Sequence, residues 1–191
     1  MFKFPKKLLI IDVEGTGTNP NVSSLIQLGA VIFNQNGFLE ESRFSEYVLP
    51  YTPEWTEQAE RVHKISLTRI QELGRPVKEV LEKFENWASK IGFVDLAKTY
   101  WLGHWGANYD IAMLKGAYTS ANKDFPFHYR SIDIASIVRF ELAKRGELGQ
   151  KCSLQKCASK YNIDINKNHL HNASYDAYLT GKLLERIVNV K

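Results

Sequence analysis

Four consecutive aliphatic residues, Leu8-Leu9-Ile10-Ile11, run directly into Asp12-Val13-Glu14-Gly15-Thr16-Gly17. An unbroken apolar run that switches abruptly to polar, glycine-rich sequence predicts a buried strand over 7–12. A second strand is expected from Leu25 to Phe33. Asn34-Gln35-Asn36-Gly37 supplies a turn, and Phe38 to Val48 pairs back as a hairpin until Pro50 and Pro53 end the run. Pro76 opens a helix whose Val77, Val80, Leu81, Phe84, Trp87 and Ala88 keep a helical rhythm. Beyond it the patterning predicts a short strand at Thr99 to Leu102, a helix from about Asn108 to Thr119, and a strand from Tyr129 to Ile134. Helices follow near 133–145, 153–161 and 172–189, the last with Leu179, Leu183, Leu184, Ile187 and Val188 on one stripe. An antiparallel hairpin sheet extended by crossover strands is a mixed α/β arrangement, expected to form one domain over 1–191.

Composition narrows the class further. With 44% hydrophobic and 24% charged residues, the chain is neither collagen-like, low-complexity nor a long coiled coil. No apolar run approaches the roughly 20 residues that span a bilayer, so no membrane partner is expected. Leu8 to Ile11 is too short for a signal-peptide core, which points to a cytoplasmic location. Cys152 and Cys157, five residues apart, fit neither a C-x-x-C redox pair nor a four-ligand zinc site, and they are read as unpaired packing or surface thiols. The net charge of +4 is unevenly spread, with 11 basic against 13 acidic residues in 1–95 and 14 against 8 in 96–191. The basic half is densest at Lys144, Arg145, Lys151, Lys156, Lys160 and Lys167, broken by Glu147 and Asp164. It is compatible with a phosphate-bearing partner.

The carboxylates carry the sharpest signal. Residues at i and i+2 of a strand point to one face, so Asp12 and Glu14 project together. Asp110 falls in the first turn of the helix after the fourth strand. Asp176 falls in the first turn of the last helix, which Asn172 is placed to cap. Ligands gather at the carboxyl ends of strands in such sheets. Four ionised carboxylates meeting there would repel by about 3 kcal/mol per pair at about 5 Å and an effective dielectric near 20. They would need cations, and hard oxygen ligands suit Mg²⁺ or Mn²⁺. Two divalent ions would balance the charge, in an arrangement used for phosphodiester cleavage.

Asp12-Val13-Glu14-Gly15-Thr16-Gly17, Asn108-Tyr109-Asp110 and His171-x-Ala173-x-x-Asp176 together resemble the three motifs of the DEDDh-type 3′→5′ exonucleases. The resemblance covers essentially the whole chain. It implies a ribonuclease H-like fold with a five-stranded mixed sheet. It also implies two Mg²⁺ or Mn²⁺ ions on Asp12, Glu14, Asp110 and Asp176, with Asp12 bridging and Asp110 acting through water. His171 is implied as general base, single-stranded DNA or RNA 3′ ends as partners, and nucleoside 5′-monophosphates as products. Val62-His63-Lys64-Ile65-Ser66 resembles an accessory V-H-G-I-[ST] segment, with Lys at 64 where Gly is usual. Gly15 likewise stands where many relatives have Thr.

Gly15, Thr16 and Gly17 are expected to grip the terminal nucleotide, because glycines permit close backbone approach. His63 is implied near the terminal sugar, and Tyr109 is a candidate for base stacking. Trp105 is read as core packing, as are Trp55, Trp87 and Trp101. His104 is read as structural, His128 as a loop residue, and His169 as a surface neighbour of the base. Two alternatives stay open: a catalytically silent nucleic-acid-binding module of the same fold, and a phosphodiesterase limited to very short oligoribonucleotides.

Overall fold

A computed structural model describes residues 8–34, 37–93, 95–98, 102–128, 131–149 and 152–188. The first strand, β1 (Leu8–Gly15), lies at the centre of a five-stranded sheet, between the hairpin and the crossover strands. On one side it pairs antiparallel with β2 (Leu25–Asn34), which pairs with β3 (Gly37–Tyr47). On the other it runs parallel to β4 (Leu102–His104), itself parallel to β5 (Ile132–Asp133). The spatial order is β3-β2-β1-β4-β5. Gln35 and Asn36 of the expected turn, Thr99 to Trp101 of the expected fourth strand, and Tyr129 and Arg130 of the fifth lie outside the described residues, as does Lys151.

Alternation along β1 sorts its side chains into two cores. Leu9, Ile11 and Val13 pack with α3 (Val77–Lys90) and α4 (Ala107–Ser120). Leu8 and Ile10 pack with α5 (Ile134–Lys144), α6 (Leu154–Lys160) and α7 (Ala173–Val188). Trp87 joins the first core against Phe44 and Phe84, and Trp105 borders the second. Helices on both faces explain why β1 is apolar at consecutive positions until it reaches Asp12.

The structure departs from the expectations in three places. Two short helices, α1 (Glu57–His63) and α2 (Leu67–Leu73), fill the stretch after Pro53. They are capped by the Thr56 and Ser66 side chains, which accept from the Ala59 and Arg69 amides. Trp55 packs beside them on the Ile26, Ile65 and Ile70 cluster. The last strand is only two residues long, because Asp133 caps α5: its carboxylate accepts from Ser136 N at 3.4 Å and Ser136 Oγ at 2.7 Å. Finally, Cys152 and Cys157, expected as unpaired thiols, are joined as a disulfide. Ser153 caps α6 between them, and this turn into the helix brings their Cα atoms to 6.0 Å, within disulfide reach.

Candidate active site

The site lies where β1 and β4 end. Asp12 and Glu14 sit two apart on β1, opposite Gly29 and Gln27 of β2, with a register break between Glu14 and Gly15. The parallel register of β4 sets Leu102 beside Leu9 and Gly103 beside Ile10, so the chain leaving His104 reaches the level of Asp12 as α4 begins. Asp110, in the first turn of α4, therefore arrives beside Asp12 from the opposite helical layer.

Asp176 arrives on α7, whose first residues cross β2. A Cβ at Gly29 would run into the backbone of Ala173 and Ser174, so glycine is what lets the helix seat there. Buried Gln27 fixes the same end, its Oε1 accepting from Ala173 N at 3.0 Å. Asn172 caps as expected, its Oδ1 accepting from Tyr175 N at 3.4 Å. His171 precedes the cap in a left-handed conformation, φ 62°, and donates its backbone N–H to Asp176 Oδ2 at 3.2 Å. This turn brings ligand-capable atoms of Glu14, His171 and Asp176 within 4.8 Å of one another.

The electrostatics show that all four acids share one region. Burial lifts the Asp12 carboxyl well above the usual carboxylate range, and the charges of Asp110, Glu14 and Asp176 lift it further. Glu14 is raised by burial and then by Asp176 and Asp110. Asp176 is pushed up to about 7 by burial, against the lowering effect of the His171 amide. Burial also raises Asp110, while a 3.1 Å bond between its Oδ2 and His104 Nδ1 works the other way. His171 is held below the ordinary imidazole value by partial burial and by the nearby charge of Lys64.

The donors fit a divalent cation. They are carboxylate oxygens in mutual repulsion, and the buried Asp176 Oδ1 has no hydrogen-bond partner among the described residues. Oxygen-rich sets of this kind suit hard ions.

Beside the acids lies a cavity of about 290 Å³ lined by Glu14, Gly15, Gly17, Gln58, Val62, His63 and Tyr109 among others. Tyr109 spans its floor, donating its hydroxyl to Gly17 O at 2.7 Å. A Cβ at Gly15 would lie 2.5 Å from that hydroxyl oxygen and from Met113 Cε, so Tyr109 takes up the space a larger residue 15 would need. His63 accepts Ile65 N–H on Nδ1 at 3.0 Å, and its Nε2 is unpartnered among the described residues. Lys64 closes α1 at φ 58°, the left-handed region that favours glycine.

Thr16 does not line the cavity. Its hydroxyl accepts from Ser24 N at 2.8 Å and its carbonyl from Thr56 N, which ties the β1 exit to α1. Gln58 and Ala59 line the cavity without having been singled out in the sequence, whereas Val62 belongs to the accessory segment read there. The signal was the Thr56 cap, which announces a helix there. His104, read as structural, is bonded directly to one of the acids.

Comparison with known proteins agrees with this fold. The exonuclease family model RNase_T matches residues 9–184. No curated protein matches the chain by sequence. Among solved structures, cell-death related nuclease 4 (CRN-4) superposes with a TM-score of 0.79 at 21% identity, over 96% of this chain and 64% of that one. The nuclease domain of 3′hExo, a DEDDh family member bound to rAMP, gives 0.77 at 18% identity, over 98% and 94%. The zinc-bound E. coli ExoI–ssDNA complex gives 0.73 at 17% identity, over 95% and 40%. The chain thus spans under two thirds of CRN-4 and under half of ExoI. The fold is ribonuclease H-like, and with the family model matched over nearly its full length, the chain belongs to the exonuclease family, whose DEDDh-type enzymes use divalent metal ions.

Proposed function

We propose that this protein is a 3′→5′ exonuclease that removes nucleoside 5′-monophosphates from single-stranded DNA or RNA. Asp12, Glu14, Asp110 and Asp176 would hold two divalent ions, Mg²⁺ or Mn²⁺. The observation that carries this reading is the meeting of four carboxylates from β1, α4 and α7, with His171 beside two of them.

When bound, such ions supply activation of water and neutralise charge at the leaving oxygen. The protein's own residues do the rest. His171, held below its ordinary pKa, presents a neutral imidazole at neutral pH, and a ring nitrogen takes the proton of the attacking water. Its left-handed backbone and the bond to Asp176 Oδ2 keep the ring next to the acids. The cavity over Tyr109 has room for one nucleoside, with Gly15 and Gly17 in its lining and Val62 an apolar wall. A terminal nucleotide entering it leaves its stack and any pairing partner, which favours single-stranded ends.

The test uses a 5′-labelled oligonucleotide with Mn²⁺. Stepwise shortening with release of 5′-monophosphates is the expected result, abolished by Asp12→Ala. Hydrolysis that proceeds unchanged in the Asp12→Ala protein, or internal cuts in place of a ladder, would refute the proposal.

A further inference from the structure

His104 ends β4 and its side chain is completely buried. Its Nδ1 lies 3.1 Å from Asp110 Oδ2. An ionised carboxylate only accepts, so the ring proton belongs on Nδ1. Nε2 has no hydrogen-bond partner among the described residues. Burying a polar atom without a partner is unfavourable, and an apolar ring of similar size would fill the same space without that cost. Core filling therefore does not account for a histidine here, whereas the bond to Asp110 does.

Asp110 is itself only 4% exposed and is bonded at the Gly106 and Val13 backbone as well. Those contacts tie it to the turn into α4 and to β1 beside Asp12. His104 adds the third tie, from β4, and is the one supplied by a side chain.

We propose that His104 is a positioning residue that sets the Asp110 carboxylate in the orientation needed to hold a divalent ion with Asp12. The inference rests on the reading of the four carboxylates as a cation-holding set. Outer partners of ligating carboxylates govern affinity, and their loss typically costs about 10–100-fold.

The test is Mn²⁺ binding by calorimetry on the full chain, for the parent and for His104→Phe, His104→Asn and His104→Gln. Asn carries an amide N–H where Nδ1 stands, whereas the Gln amide reaches towards Nε2. His104→Phe and His104→Gln should weaken Mn²⁺ binding about 10–100-fold, with His104→Asn staying near the parent. In an Asp110→Asn background, Phe and Asn at 104 should bind Mn²⁺ alike, since the bond they differ in no longer orients a carboxylate. If His104→Phe does not fold, the contrast between Asn and Gln decides. A parent that binds Mn²⁺ while Phe or Gln at 104 binds it equally well overturns this inference alone, as does the same loss in both backgrounds. A parent that binds no Mn²⁺ overturns the carboxylate reading and the inference with it.

Discussion

Replacing Asp176 by Asn should make the metal-free protein more stable at alkaline pH while removing its response to metal. The Asp176 carboxyl, 9% exposed, is raised from an ordinary 3.8 to about 7. Each tenfold change in proton affinity is worth about 1.4 kcal/mol, so holding it ionised costs about 4 kcal/mol at most. That cost comes from burial, and because the Asp176 charge also lifts Asp12 and Glu14, about 2–4 kcal/mol is the part that belongs to position 176. The sign follows from linkage. The native state binds the proton more tightly than the unfolded chain, so the cost is absent below pH 3.8, grows as pH climbs, and is complete above about 7. Asn keeps an oxygen to accept His171 N–H and carries no charge. For a domain of this length the gain is a rise of roughly 4–16 °C in Tm at pH 8 in chelator, and little change at pH 4. Parent protein with Mn²⁺ at about a hundred times its Kd should gain about 2.7 kcal/mol, and the variant far less. Differential scanning calorimetry at both pH values, with and without Mn²⁺, measures all four quantities. A variant that melts at or below the parent at pH 8 in chelator, and still shifts fully with Mn²⁺, would refute the reasoning.

Other perturbations probe the remaining parts of the site. His171→Ala should leave residual hydrolysis, reduced about 10²–10⁴-fold, and should abolish the parent's rise in activity with pH. Because His171 is held below its ordinary 6.5, that rise should be largely complete by neutral pH. A steep limb centred above pH 7 in single-turnover rates would count against it. Gly15→Ala should cost about 1–3 kcal/mol in urea denaturation, since its Cβ meets the Tyr109 hydroxyl, and Gly15→Ala combined with Tyr109→Phe should recover part of that loss. Additive costs in the double variant would contradict the packing account. Gln27→Ala should lower activity more than stability, because it frees the end of α7 that carries Asp176. Unaltered kcat would dismiss that role.

Much of the site was legible because its chemistry is written in local spacing. Asp12 and Glu14 share a face by the period of a strand, and Asp110 and Asp176 both open helices, so strand ends and helix starts were enough to bring them together. The Phe38–Val48 hairpin partner and the helix from Val77 were legible through plain periodicity. The helices α1 and α2 were not, since seven residues with a single fully buried isoleucine in α2 give no rhythm to read. Their caps at Thr56 and Ser66 were the available signal. The cysteine bridge escaped notice because an interval of five is uninformative until the Ser153 turn folds it. Thr16 looked like a nucleotide contact from its glycine neighbours, yet its hydroxyl serves the Ser24 amide, a partnership set by the antiparallel register and invisible in the chain order. His104 carried no motif at all. Its meaning comes from the α4 turn, which returns Asp110 to its ring.

The seating of α7 over Gly29 has a consequence for how this protein can fail. The helix delivers Asp176, and the turn leading into it delivers His171, so the two cannot drift apart independently. A bulkier residue at 29 acts as a wedge under a stiff lever, lifting acid and imidazole from the strand ends in one movement. Inactivation would then come from a position with no functional group, and a survey confined to titratable residues would pass over it.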